Sequence, residues 1–377
     1  MIFFVYVLVM LISIYVGSLL SYILGNLITT KKESSHHMHP VSVIIAVKNG
    51  ENSLPVLLND LKKQKYQGQI EYIIVDDEST DKSADIIKKM CKSNPTFKYV
   101  SSLNGNPKLK FKKKALDAGI NYSKNEILLF TDVDCRLNQN WVESMVNCFR
   151  NDIDYVIGVS KIKNPTNFIS NFQKIDLFMM MVAGRAKTIL KQPIACTGQN
   201  QAYKKYLYYE NDGFVSISNS IQGDDSLFMN ICFKNNANIY FNDNHESFVE
   251  SRKENKLSSF IQQRIRWAAD AKVMWSYNKK FFITLISTFV VNSLLLVTPF
   301  VIPFLSEQNQ KMMLLLFLTK FLLELIIYII GSIKLKSKIE LIKFIIWFFL
   351  NIPYVFIAGT ANLMNKSIVW KGQTIDK

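Results

Sequence analysis

At 377 residues the chain is long enough for one large domain or two smaller ones, and 49% of it is hydrophobic, gathered at the two ends around a more polar middle from roughly Lys31 to Lys280. It carries 45 Lys and Arg against 30 Asp and Glu, a formal net charge of +15, which suits acidic headgroups or a phosphorylated substrate; without interleaved basic and aromatic residues in the middle, nucleic acid is not expected as a partner. Cys91, Cys135, Cys148, Cys196 and Cys232 show no Cys-x-x-Cys spacing, and the histidines divide between a linker (His36, His37, His39) and a distant His245, so the thiols are read as reduced and neither a disulfide framework nor a zinc site is expected.

The first element, Met1 to about Ile28, is almost uninterrupted in apolar residues, and ~20 of them suffice for a helix to cross a bilayer. Its flanking charges, Lys31 and Lys32, come after it, which marks a retained anchor rather than a cleaved signal peptide. The positive-inside tendency then places the basic middle in the cytoplasm.

After Pro40 the β-branched run Val41 to Val47 predicts a buried parallel strand, and Leu54, Leu57, Leu58 and Leu61 recur at helical spacing. Glu71 to Val75 predicts a second strand, a helix follows around Lys112 to Ile120, and Glu126 to Phe130 predicts a third strand. This alternation predicts an α/β domain with a mostly parallel sheet, whose ligands bind beyond the carboxyl ends of the strands. Asp76-Asp77 and Asp132-Val133-Asp134 fall at two such ends.

Toward the C-terminus Phe281 to Leu305, Met312 to Ile330 and Leu341 to Met364 read as further membrane segments. The loop Ser306 to Lys311 is nearly neutral, while the one holding Lys334, Lys336, Lys338 and Lys343 is basic, an alternation of outside and inside. Asn351 and Pro353 interrupt the last segment, and Pro is expected to kink or break a helix, so a re-entrant or in-plane helix and a full crossing both stay open. The segments are read as lacking internal charge and repeats, which speaks against a transporter. The expected division is an anchor over 1–30, a cytosolic domain over 31–280 and membrane segments with a short tail over 281–377.

The acidic motifs each have two readings. Asp132 and Asp134 offer hard oxygen ligands for Mg2+ or Mn2+ alongside substrate phosphates, or belong to a solvated loop. Gly223-Asp224-Asp225 ahead of an apolar run offers a helix cap or a general base. In Gln263-Arg264-Ile265-Arg266-Trp267, Arg266 suits a diphosphate and Trp267 a sugar face, yet both residue types also collect at membrane interfaces.

Together and in this order the segments resemble the family 2 glycosyltransferases with the GT-A fold, of the membrane-integrated type that includes polysaccharide synthases and ceramide glucosyltransferases. The likeness covers about Val41 to Trp275 and the flanking membrane segments. It implies donor-base contacts for Asp76 and Asp77, a donor-side role for Lys112 (with Phe111 where the family has glycine, and Lys113 and Lys114 adjacent), and metal binding at Asp134 with Asp132 serving the metal or the ribose. Gly198-Gln199-Asn200-Gln201-Ala202-Tyr203 resembles the acceptor-side segment. Gly50 stands where the family's first turn carries Glu, with Glu51 next. The catalytic base would be Asp225, beside Asp224; Gln263, Arg266 and Trp267 would line the acceptor cleft and hold the donor diphosphate. Trp370-Lys371-Gly372 is similar to a tail found in related chains.

What the resemblance implies is an inverting, metal-dependent transferase that moves a sugar, UDP-hexose being the usual donor, to a lipid or lipid-linked glycan. A processive polysaccharide synthase is the alternative, and a catalytically silent membrane scaffold the alternative of another class.

Overall fold

The computed structural model describes residues 2–29, 38–150, 152–220, 222–269, 271–364, 367–370 and 373–376. Lys31, Lys32, His36, His37, Lys366, Lys371, Gly372 and Lys377 lie outside them. The chain forms two compact units, one of residues 30–164 and 191–253, the other of residues 1–29, 165–190 and 254–377.

The first unit is built on strands β1 (Val41–Val47), β2 (Ile70–Asp76), β3 (Phe97–Ser101), β4 (Ile127–Phe130), β5 (Arg136–Leu137), β6 (Tyr155–Gly158), β7 (Ser160–Ile162), β8 (Gln201–Lys204), β9 (Ile239–Asn242) and β10 (Val249–Ser251). Seven of them form one sheet in the order β3-β2-β1-β4-β8-β6-β9. The pairs β3-β2, β2-β1 and β1-β4 are parallel, as is β6-β9; β8 runs antiparallel to both of its neighbours. A smaller sheet takes the order β5-β10-β7. The three strands expected from the sequence are β1, β2 and β4, buried on both faces as their continuous apolar runs require.

Leu54, Leu57, Leu58 and Leu61 all point inward from the helix Leu54–Lys62 into a core with Val41, Val43, Ile45 and Trp141. Each such leucine contributes roughly 1.5–3 kcal/mol by leaving water. Cys135, Cys148, Cys196 and Cys232 are buried, and Cys91 is half-buried.

The second unit gathers helices from three stretches of chain. Four of them, Tyr6–Leu27, Lys279–Phe304, Glu307–Lys334 and Leu341–Ala361, are long and apolar enough to cross a membrane. The helices Phe168–Ile189 and Leu257–Ala269 belong to this unit as well. Pro353 does not break its segment, which continues as one helix from Leu341 to Met364; apolar helices tolerate proline because neighbouring groups satisfy the freed carbonyl.

The expectation that these segments lack internal charge is incorrect. Lys320 and Glu324, four residues apart on Glu307–Lys334, form a buried ion pair at 2.6 Å, and the Tyr15 hydroxyl donates to the same Glu324 oxygen at 2.8 Å. Inside an apolar bundle, neutralisation by a partner is the condition for keeping such groups.

One end of this bundle is polar. Asn26 donates to the Val182 carbonyl at 3.0 Å, Lys334 donates to Thr29 Oγ1 at 3.2 Å, and Lys174 pairs with Glu340 in the basic loop. The helix Phe168–Ile189 sits close against that end because glycines allow it: a Cβ on Gly25 would come within 2.4 Å of the Ala186 carbonyl oxygen, and one on Gly331 within 2.4 Å of Val182.

Candidate functional site

The carboxyl ends of β1, β2 and β4 share one edge of the sheet, so the loops that follow them meet there. Those after β1 and β2 are joined by hydrogen bonds. Asn49, at φ 52, donates from its backbone to Ser79 Oγ at 3.0 Å and accepts from the Thr80 N–H at 2.8 Å; the Glu51 N–H donates to Asp81 at 3.0 Å, and the Glu51 carboxylate accepts from the Lys82 N–H at 3.1 Å. Glu51, one position beyond its expected place, is thereby part of the turn.

Asp76 and Asp77 are both buried at this edge. The Asp76 carboxylate accepts from the Ser79 N–H at 3.2 Å and the Tyr99 hydroxyl at 3.3 Å, while Lys48 lies 3.8 Å from Asp77 Oδ2.

Two motifs far apart in sequence converge on Lys112. Its ammonium lies 2.8 Å from Asp132 Oδ1, just past β4, and 3.0 Å from Asp224 Oδ2, at the head of the helix Ser226–Lys234. Burial disfavours the Lys112 ammonium, but the two carboxylates outweigh it and hold its pKa well above the ordinary value. Lys113 points elsewhere, buried and donating to the Ile217 and Gln222 carbonyls at 2.8 and 3.2 Å. Phe111 adopts φ 56, the left-handed conformation that a glycine at that place takes freely.

Asp225 serves as the cap of Ser226–Lys234, accepting from the Ser226 N–H at 2.6 Å, and its other oxygen accepts from the Gly198 N–H at 3.1 Å. Gly223, at φ 110, makes the turn that presents the two aspartates. Burial first, and then the neighbouring Asp224 charge, push the Asp225 carboxyl up to about 6, against the pull of Lys112 and the two N–H donors. A carboxylate with this affinity for protons is suited to remove one near neutral pH. Cap and base are compatible roles here, since each oxygen accepts only one of these hydrogen bonds.

Gly198 lies at the centre of the group: a Cβ there would stand 2.8 Å from Lys112 Nζ, 3.1 Å from Asp224 Oδ2 and 3.7 Å from Asp225 Oδ2. Two further residues of its segment are held by hydrogen bonds and packing. Asn200 accepts from Trp141 Nε1 and donates to the Val159 and Ser247 carbonyls, and Tyr203 is buried between Phe130 and Tyr155.

Asp134 is half-buried in the turn after β4, two residues beyond Asp132. Among the described residues no three His, Cys, Asp or Glu side chains cluster as a complete metal cage. Two strand-end carboxylates still fit Mg2+ or Mn2+, which take one or two protein oxygens and leave the remaining positions to phosphates and water.

Gln263, Arg266 and Trp267 belong to the helical unit, on Leu257–Ala269. Gln263 accepts from Gln173 at 3.3 Å, and burial lowers the pKa of the half-buried Arg266, opposed by Glu254. Arg264 and Asp176, which no sequence pattern singled out, are buried together at 2.6 Å.

Residues 42–211 match the family described as Glycosyl transferase family 2, and residues 127–360, more than half of the chain, match Glycosyl transferase family group 2. A 4,4'-diaponeurosporenoate glycosyltransferase of Staphylococcus haemolyticus is 32% identical over 120 residues, covering 32% of this chain and 31% of that protein. A poly-beta-1,6-N-acetyl-D-glucosamine synthase of Staphylococcus aureus is 27% identical over 138 residues, 36% of this chain and 32% of its own length. The matched stretch thus spans about a third of each of these curated relatives. The solved mannosyltransferase PcManGT from Pyrobaculum calidifontis, determined with GDP-Man and Mn2+, superposes with a TM-score of 0.58 at 16% identity, covering 96% of this chain and 99% of that one. That likeness shows the fold, which is GT-A.

Proposed function

The chain belongs to the family 2 glycosyltransferases, and from that premise we propose that it transfers a hexose, with inversion, from a nucleotide-sugar to a hydroxyl of a membrane lipid or lipid-linked glycan. The observation that carries this reading is the convergence on Lys112 of a strand-end carboxylate, Asp132, and a helix-head carboxylate, Asp224, with Asp225 beside them.

Asp76 and Asp77 hold the donor base, and Lys112 the donor. The Asp225 carboxylate takes the proton of the acceptor hydroxyl. The acceptor oxygen forms its bond to the anomeric carbon from the opposite face as the bond to the diphosphate oxygen breaks, and the electron pair leaves with the nucleoside diphosphate. Asp134 and Asp132 would hold the Mg2+ or Mn2+, which supplies charge neutralisation at the leaving group. Arg266 adds a fixed positive charge there and Trp267 a wall for a sugar ring. Asp224 keeps Lys112 in place.

The sheet unit lies on the cytoplasmic side in this reading, together with the basic loop around Lys336 and Lys338. The four apolar helices among the described residues are fewer than dedicated polymer channels generally need, which supports single transfer. The likeness to a polysaccharide synthase keeps processive synthesis as the second reading.

The test is to purify the protein in detergent with Mg2+ or Mn2+, offer a panel of nucleotide-sugars with membrane lipids, and measure nucleoside diphosphate release. Release with one donor, falling as the pH drops through about 6 where Asp225 becomes protonated, is expected. Equal background with every donor would overturn the reading.

A further inference from the structure

Three helices of the membrane unit meet in two adjacent layers. The first is aromatic: Phe172, Phe260 and Tyr354, from Phe168–Ile189, Leu257–Ala269 and Leu341–Met364, are mutually in contact, with ring centroids 5.5 to 5.6 Å apart. The second lies one helical turn further along the first two helices and is polar. There Arg264 Nη2 meets Asp176 Oδ2 at 2.6 Å, and Trp347 Nε1 donates to Asp176 Oδ1 at 3.4 Å. Arg264 and Asp176 are only 3% and 6% exposed.

The Arg264 guanidinium also packs over the Trp267 ring at 4.1 Å and the Phe260 ring at 4.9 Å. Its Nε, Nη1 and Nη2 make no hydrogen bond among the described residues, so the contact with Asp176 is an ion pair by distance, and it opposes the charge of the guanidinium. A buried pair of this kind gives little net stability over apolar residues of the same size, because desolvation offsets the attraction. What it adds is one defined arrangement. Two residues further along the helix, Arg266 projects about 200° around the axis from Arg264, so fixing Arg264 inward fixes where Arg266 emerges.

We propose that the Asp176–Arg264 pair is a positioning element that sets the rotation of Leu257–Ala269 and the ring plane of Trp267, and thereby fixes the directions in which Arg266 and Trp267 project. This rests on the donor role given to those two residues above. Asp176 and Arg264 themselves touch no substrate. Asp176→Asn or Asp176→Leu would leave the charge of Arg264 unbalanced, whereas replacing both members by apolar residues removes the alignment without stranding a charge.

The experiment uses the full chain in detergent and measures binding of UDP and GDP beside UMP and GMP. For Asp176→Leu/Arg264→Met the expected result is a thermal midpoint near that of the unmodified protein. The diphosphate that binds should lose on the order of tenfold to a hundredfold in affinity, with its monophosphate unchanged. Arg264→Lys, which keeps the charge but not the planar stack on Trp267, should show the same selective loss should the double variant fail to fold. Unchanged diphosphate affinity in whichever variant folds, or equal loss for mono- and diphosphate, would overturn the proposal. Absence of nucleotide binding by the unmodified protein would instead overturn the donor role beneath it.

Discussion

Lys112 reaches both Asp132 and Asp224, at 2.8 and 3.0 Å, from the first turn of the helix Phe111–Tyr122. The sequence supplies Asp132, Asp224 and three consecutive lysines, but it does not say which lysine turns toward which carboxylate. That depends on how the helix Phe111–Tyr122 is rotated, and the rotation begins at Phe111, held at φ 56. A side chain in this region costs ~1–2 kcal/mol relative to glycine, and elsewhere in a helix alanine is better than glycine by roughly 1 kcal/mol. The two preferences oppose each other here. Phe111→Gly is therefore expected to unfold at a temperature equal to or above that of Phe111→Ala, the reverse of the usual helix order; a clearly more stable alanine variant in thermal unfolding would contradict the strained start.

Among the elements, the long and strongly patterned ones were legible: β1, β2, β4, the leucine-lined helix and the four apolar helices. The small sheet β5-β10-β7 was not, because strands of two or three residues carry no periodicity. The antiparallel β8 was hidden as well, since nothing in Gln201 to Lys204 fixes the direction of pairing. Lys320 and Glu324 leave the helix reading as apolar because its high average hydropathy masks two charges, and only the fold shows that they pair with each other.

The helix Phe168–Ile189 carries the strongest consequence of element packing. A β-branched side chain at Gly25 would meet the Ala186 backbone, which cannot rotate away, while Gly17 on the same helix faces open space. Gly25→Val is expected to cost on the order of 1–3 kcal/mol through overpacking and Gly17→Val almost nothing. Comparison of their detergent melting temperatures checks this, and equal shifts would contradict the close approach.

For the whole molecule, the GT-A sheet unit and the family assignment agree with the order of motifs read from the chain. The acceptor was the least legible part, because no single motif read from the chain specifies one. The relatives named for quite different products share about a third of their length with this chain.

Asp225 is the proposed base: its two oxygens accept from Gly198 and Ser226 while burial holds its proton affinity high. The most direct test is to measure donor binding and sugar transfer side by side in Asp225→Asn. Loss of transfer by a factor of about 10²–10⁴, with donor affinity retained, is the predicted result; retained transfer, or parallel loss of binding and transfer, would contradict the assignment of the base.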